Sequence, residues 1–171
     1  VSEAVRGNRS VRQFSDQPVS RAEIEQIVNA GRLSGSAKNR QPWQFVVVTD
    51  RAMLLALSQC GPWCGHLAGA AFGVVLTVEN LHEPPTLTTP FDLGRVSQNM
   101  ILTGWALGVG SCMATIYEPD KARAVLGIPA AMDVPWAISF GYPHPDVDPR
   151  QRPPRKEGRR ALDEVAHWER W

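Results

Sequence analysis

Two guanidiniums and a hydroxyl stand close together in the run Arg9-Ser10-Val11-Arg12-Gln13-Phe14. An arginine fork matches phosphate oxygens and a serine hydroxyl adds a donor, so Arg9, Ser10 and Arg12 suit anion recognition. Exposed arginines in plain surface ion pairs are the competing explanation. A second run, Gly35-Ser36-Ala37-Lys38-Asn39-Arg40-Gln41-Pro42-Trp43, joins small residues to amide side chains. Small residues let backbone approach a flat ligand, and amides can read its polar edge. A plain helix-to-strand loop with Trp43 anchored in the core would look the same. Residues 150–160 carry Arg150, Arg152, Arg155, Lys156, Arg159 and Arg160 against a single Glu157, a phosphate grip or a solvated linker.

Other chemistries find less support. Gly108-Val109-Gly110-Ser111 follows a helical pattern and precedes a strand, the reverse of a dinucleotide fingerprint. Cys60 and Cys64 are four apart and so not a Cys-x-x-Cys pair, Cys112 is distant and no histidine stands at ligand spacing, so no metal site is expected. His66, His82, His144 and His167 are scattered, with no Ser-His-Asp order and no nucleophile elbow.

The elements that must carry these residues are legible in outline. Ser20 followed by Glu23 is a capping box, and Ile24, Ile27, Val28 and Gly31 continue at helical spacing, predicting a helix over 21–33. Residues 45–49 read as a buried strand, and Asp50 caps a short helix with Leu54, Leu55 and Leu57. A second buried strand is expected over 72–78 and a loop over 83–90. The longest helical pattern runs over 91–107 and ends at Gly108 and Gly110. A short strand or loop follows at 111–115. Pro119 opens a helix that ends near Gly127, and 136–141 is a third strong strand. A Pro-rich surface run over 143–154 leads to a short amphipathic helix over 161–171. Strands separated by helices give an α/β or α+β fold with roughly four strands.

The chain has 171 residues, enough to bury about 70% of its unfolded surface without staples. With 43% hydrophobic and 20% charged residues, it reads as globular rather than disordered. Eighteen basic against 17 acidic residues leave +1, which excludes a nucleic-acid binder by bulk charge. No apolar run approaches a membrane span, and the opening residues show no apolar signal region. A cytoplasmic location, no membrane partner and no nucleic-acid partner are expected.

Taken in order, these segments resemble the FMN-dependent nitroreductase family over nearly the whole chain. The resemblance rests on Arg9-Ser10-Val11-Arg12-Gln13-Phe14, the 21–33 helix, and Ser36-Ala37-Lys38-Asn39-Arg40-Gln41-Pro42-Trp43-Gln44-Phe45. It continues through Gln98-Asn99-Met100-Ile101-Leu102, Ala106-Leu107-Gly108-Val109-Gly110-Ser111, Leu126-Gly127-Ile128-Pro129 and Gly141-Tyr142-Pro143. It implies an α/β (α+β) homodimer with a central mixed sheet flanked by helices and two FMN sites in the interface, each touched by both subunits. By position, Arg9 and Ser10 resemble the phosphate and ribityl contacts, and Arg12 the cation near the pyrimidine edge of the ring. Gly35, Ser36, Ala37 and Asn39 resemble the loop supplied by the other subunit. Met113, Ala114 and Thr115 resemble the segment lying along the ring, and Arg159 or Arg160 a C-terminal phosphate clamp.

This sequence departs from the pattern in places. Asn8 stands where many members carry another arginine. His66 falls near a lysine of another member pattern, as a hydrogen-bonding partner of the flavin or as a satisfied core histidine. The 83–91 segment is brief where many relatives insert covering helices. The resemblance implies an FMN-dependent oxidoreductase passing hydride from NADH or NADPH to a small organic acceptor such as a nitroaromatic or quinone. The alternative is a flavin-binding protein, or an FMN-dependent dehydrogenase that uses its own substrate or a partner subunit. No side chain is nominated as an essential acid or base. Residues 1–171 are expected to form one nitroreductase-like domain with 143–171 an extended C-terminal arm. Trp168 and Trp171 suit an aromatic dimer interface.

Overall fold

The computed structural model describes residues 2–79, 81, 88–151 and 158–171, with Arg150 described by its backbone only. After α1 (Ser2–Gly7) the chain runs extended to α2 (Arg21–Arg32). The capping box at its start is formed: the Ser20 N–H donates to the Glu23 carboxylate at 2.9 Å and the Glu23 N–H donates to the Ser20 hydroxyl at 3.3 Å. Ile24, Ile27 and Gly31 are its buried stripe. Asp50 caps α3 (Arg51–Leu57) by accepting the Met53 N–H at 2.8 Å. Pro119 opens α5 (Pro119–Leu126), and Gly127 closes it at φ 65°, a left-handed turn that costs glycine little.

Four strands, β1 (Trp43–Val48), β2 (Phe72–Glu79), β3 (Gly110–Thr115) and β4 (Met132–Gly141), form a sheet in the order β1-β2-β4-β3. Every pairing among them is antiparallel, and among the described residues a parallel element enters only through the isolated bridge between Ser10 and Ser111. Alternate residues of a strand point to opposite faces, and two clusters follow. On one face, α2 and α4 (Thr88–Ala106) cover Phe72, Val74, Leu76, Ile138 and Phe140. On the other, Leu54, Leu57, Leu67 and Ala122 close over Val75, Ala114 and Ala137. Phe72 and Phe140 stack at 4.8 Å between centroids inside the first cluster.

Several expectations change. The strand expected as buried over 45–49 is an edge strand that starts at Trp43, and Gln44 and Val47 are exposed. A β-branched run signals a strand but not its place in the sheet. The third strand begins at Met132, earlier than 136. Pro135 has no N–H for the ladder, and the register slips opposite it between Leu76 and Val78. Helix α4 starts at Thr88, with Pro90 in its first turn where a missing N–H is harmless. The loop expected over 83–90 is therefore helical at Thr88-Thr89-Pro90, and residues 82–87 lie outside the described residues. The helix expected over 161–171 is only a turn at Leu162–Glu164. Leu162, Val165, Trp168 and Trp171 are all exposed, so no packed face supports a helix there. Among the described residues no helix is long and apolar enough to cross a membrane.

Candidate functional site

The N-terminal segment docks on the outer edge of β3. The Val11 N–H donates to the Ser111 carbonyl at 2.9 Å, and the Val11 side chain is fully buried against Gly110. A Cβ at Gly110 would lie 2.6 Å from Val11, so the glycine is what allows this approach. Ser10 and Arg12 flank Val11 and are exposed. Burial pushes the pKa of the Cys112 thiol up, against the Arg12 charge and the hydrogen bonds of the Ser10 and Arg12 side chains, which pull it down. Arg9 turns its guanidinium back to the carbonyls of Arg6 and Asn8 at 2.7 and 2.8 Å. Met113 and Thr115 point outward from β3, whereas the Ala114 side chain faces the second core cluster.

Behind this edge sits His66, in the short helical turn Gly65–Gly69. Its Nδ1 lies 2.7 Å from the Ser139 hydroxyl, which donates in turn to the Cys112 carbonyl at 3.3 Å. His66 Nδ1 and the Ser139 hydroxyl are thus hydrogen-bond partners, and which of them donates follows the ring tautomer. Nε2 is buried without a hydrogen-bond partner among the described residues. Burial first, and then the Arg12 charge, push the His66 pKa down to about 4, with the Met113 backbone opposing. The imidazole is neutral at neutral pH, one nitrogen satisfied as in a core histidine and the other left open. Cys112 and Ser139 did not stand out in the sequence. Strand alternation puts each on a face, but only the register sets Cys112 opposite Ser139.

The second polar set lies between α2 and β1. Lys38, Asn39 and Gln41 take φ of 52°, 54° and 50°, left-handed conformations that cost about 1 kcal/mol or more each for residues with a Cβ. The Gln41 N–H donates to the Ser36 hydroxyl at 2.9 Å and the Gln41 amide donates to Asn39 Oδ1 at 3.1 Å. Helix α4 holds the loop from outside. Asp92 accepts the Ala37 N–H at 2.9 Å, and the Asn99 amide donates to the Ser34 hydroxyl at 2.7 Å. A Cβ on Gly35 would come within 2.7 Å of the Arg95 guanidinium. Asp92 is buried while Arg95 and Asn99 are exposed, a mixture that no helical pattern marks, so these three were not legible in the sequence.

The structure thus groups Ser10, Arg12, Met113 and Thr115 at β3, and Gly35, Ser36, Ala37 and Asn39 before β1. These are opposite edges of the sheet, three strand spacings of about 4.8 Å apart. One protomer does not bring the two sets together. Arg159 and Arg160 are exposed, and Arg160 is held by Glu164 of its own segment through the carboxylate at 3.4 Å and the backbone carbonyl. Arg152, Arg155 and Lys156 of the basic run lie outside the described residues.

The sequence profile of the nitroreductase family matches residues 5–60 and 58–142. A curated protein of Archaeoglobus fulgidus, provisionally named an NADH dehydrogenase/NAD(P)H nitroreductase, is 33% identical over 149 residues, covering 82% of this chain and 83% of its own. The oxygen-insensitive NADPH nitroreductase of Salmonella typhimurium is 28% identical over 160 residues, or 84% of this chain and 67% of that one. An FMN-dependent nitroreductase from Clostridium difficile R20291 has a TM-score of 0.83 over 100% of both chains at 23% identity, which shows a common fold. The profile spans both edge sites and the strands between them: this chain belongs to the nitroreductase family.

Proposed function

We propose that the protein is an FMN-dependent oxidoreductase that passes hydride from NADH or NADPH to a small organic acceptor, with nitroaromatics and quinones as test acceptors. The observation that carries this reading is the placement of two polar sets on opposite sheet edges within a nitroreductase-family fold. Each set is half of a wall, and a second copy would bring the other half. A homodimer follows, and the uncovered Leu162, Val165, Trp168 and Trp171 support it. We take residues 143–171 as the arm that reaches the second copy, on one domain formed by 1–171.

The residues present fit FMN in their donor chemistry. Ser10 and Arg9 offer a hydroxyl and a guanidinium for the ribityl and phosphate groups, with Arg159 or Arg160 adding a cation from the arm. Arg160 would first have to leave Glu164. Arg12 keeps a positive charge at the β3 edge, suited to the negative charge that reduction places on the pyrimidine side of the ring. His66 is neutral there and adds no second cation. Met113 and Thr115 would line the ring with their side chains and Ala114 with its backbone. Gly35, Ser36, Ala37 and Asn39 would form the wall given by the second copy. FMN, when bound, supplies the hydride and electron transfer itself.

The donor assignment is supported by names: an NADPH nitroreductase in Salmonella typhimurium and an NADH dehydrogenase in Thermus thermophilus, the latter 27% identical over 94% of this chain. Such chemistry suits the cytoplasm, where reduced nicotinamide is supplied. The test is a visible spectrum after FMN addition and desalting, then anaerobic NADH or NADPH. A retained flavin band that bleaches is the expected result. A band that stays oxidised favours a flavin-binding protein, or a dehydrogenase reduced by its own substrate or a partner subunit. No retained band overturns the cofactor assignment.

A further inference from the structure

We infer that Asp92 is a positioning residue: from α4 it latches the 34–41 loop in its cofactor-ready shape before any cofactor binds. The inference rests on the reading of that loop as a flavin wall.

Asp92 is 3% exposed, an unusual burial for a carboxylate. Among the described residues two groups meet its carboxylate. Oδ2 accepts the Ala37 N–H at 2.9 Å, and Oδ1 lies 3.6 Å from the Arg95 guanidinium one turn along. Arg95 in turn sits over the Phe91 ring at 5.9 Å and fills the space beside Gly35. Asn99, a further turn along α4, fixes Ser34 at the other end of the loop. Directly beyond these anchors the loop holds three non-glycine residues at left-handed φ, Lys38, Asn39 and Gln41. Such a backbone persists only where its surroundings over-determine it.

The geometry has a direct consequence for binding. The Ala37 N–H is turned inward to Asp92, so it is not a donor for a ligand. The exposed side of the loop is then left to the Lys38 and Asn39 side chains and the backbone around them. A loop already fixed loses little conformational freedom when a ligand settles on it, so affinity rises without any new contact. Asp92 acts on the ligand through the loop and does not touch it.

The test compares wild type, Asp92→Ala and Asp92→Asn as apo-proteins. Amide exchange over 34–41 is read without flavin, and FMN affinity is then read by fluorescence titration. Asp92→Ala should speed exchange of the loop and weaken FMN by about tenfold, since a buried donor loses its acceptor. Asp92→Asn keeps an oxygen for the Ala37 N–H and should recover most of both. At saturating FMN the Asp92→Ala absorption and circular dichroism should equal those of wild type, because a latch changes affinity and not the bound state. Unchanged exchange in Asp92→Ala overturns the latch. Faster exchange with unchanged FMN affinity overturns its role in binding, and an altered spectrum at saturation overturns positioning in favour of direct contact. A wild type that holds no FMN sinks the flavin reading instead, and is told apart because the exchange difference needs no flavin.

Discussion

The guanidinium of Arg12 reaches the Cys112 thiol and lies near enough to His66 to weaken its hold on a proton. Its charge is thus presented at the β3 edge with a neutral imidazole behind it. Arg12→Ala should weaken FMN binding and lower the flavin potential, as read by titration and by equilibration with a reference dye. An unchanged affinity and potential would remove Arg12 from the site. His66 makes a separate prediction. Its folded pKa of about 4 is below the ordinary 6.5, so the unfolded chain takes up the proton first. The stability it contributes is complete above the ordinary value and is lost as pH falls through that window. His66→Gln keeps an amide that can donate to or accept from Ser139 and removes the titration. Urea midpoints of this variant should fall less than those of wild type between neutral pH and about pH 4. Equal losses would mean that other groups carry the acid sensitivity.

At the scale of elements, β3 is the piece on which the site depends. Its outer edge is open to the 9–12 segment because Gly110 has no side chain. Gly110→Ala would set a Cβ 2.6 and 2.8 Å from two Val11 carbons, both close to the main chain with little freedom to yield. The expected cost is about 1–3 kcal/mol in a denaturant melt, together with weaker FMN binding as Ser10 and Arg12 shift outward. A loss of stability with full FMN affinity would show that the segment can move without disturbing the site. Helix α2 is tied into the same frame: Glu23, already part of the capping box, accepts the Tyr142 hydroxyl at 2.6 Å just beyond β4.

For the whole molecule the decisive quantity is the copy number. Half of the proposed wall stands on each edge of one sheet, and Trp168 is 82% exposed, an unusual cost for a protein that stays alone. Removing residues 161–171 should leave a folded protomer, since these residues add nothing to either core cluster. Sedimentation should report a dimer for the full chain and a monomer for the shortened one, and the flavin band of the latter should not survive desalting. A truncated protein that stays dimeric and keeps its flavin would place the interface elsewhere.

The sequence by itself determined what is local. Ser20 with Glu23 fixes where α2 begins, the uninterrupted apolar run of β2 marks a central strand, and Gly127 marks where α5 ends. The order of the short motifs was enough to indicate the family, because each motif keeps its spacing to its own element. Tertiary structure decided what depends on neighbours distant in the chain. It made β1 an edge, and it placed Cys112 opposite Ser139 and hence beside His66. It also turned a polar stripe on α4 into the support of the 34–41 loop. Residues 161–171 show the limit from the other side: their apolar pattern asks for a helix, but pattern forms a helix only against a surface, and here Leu162, Val165, Trp168 and Trp171 are all exposed.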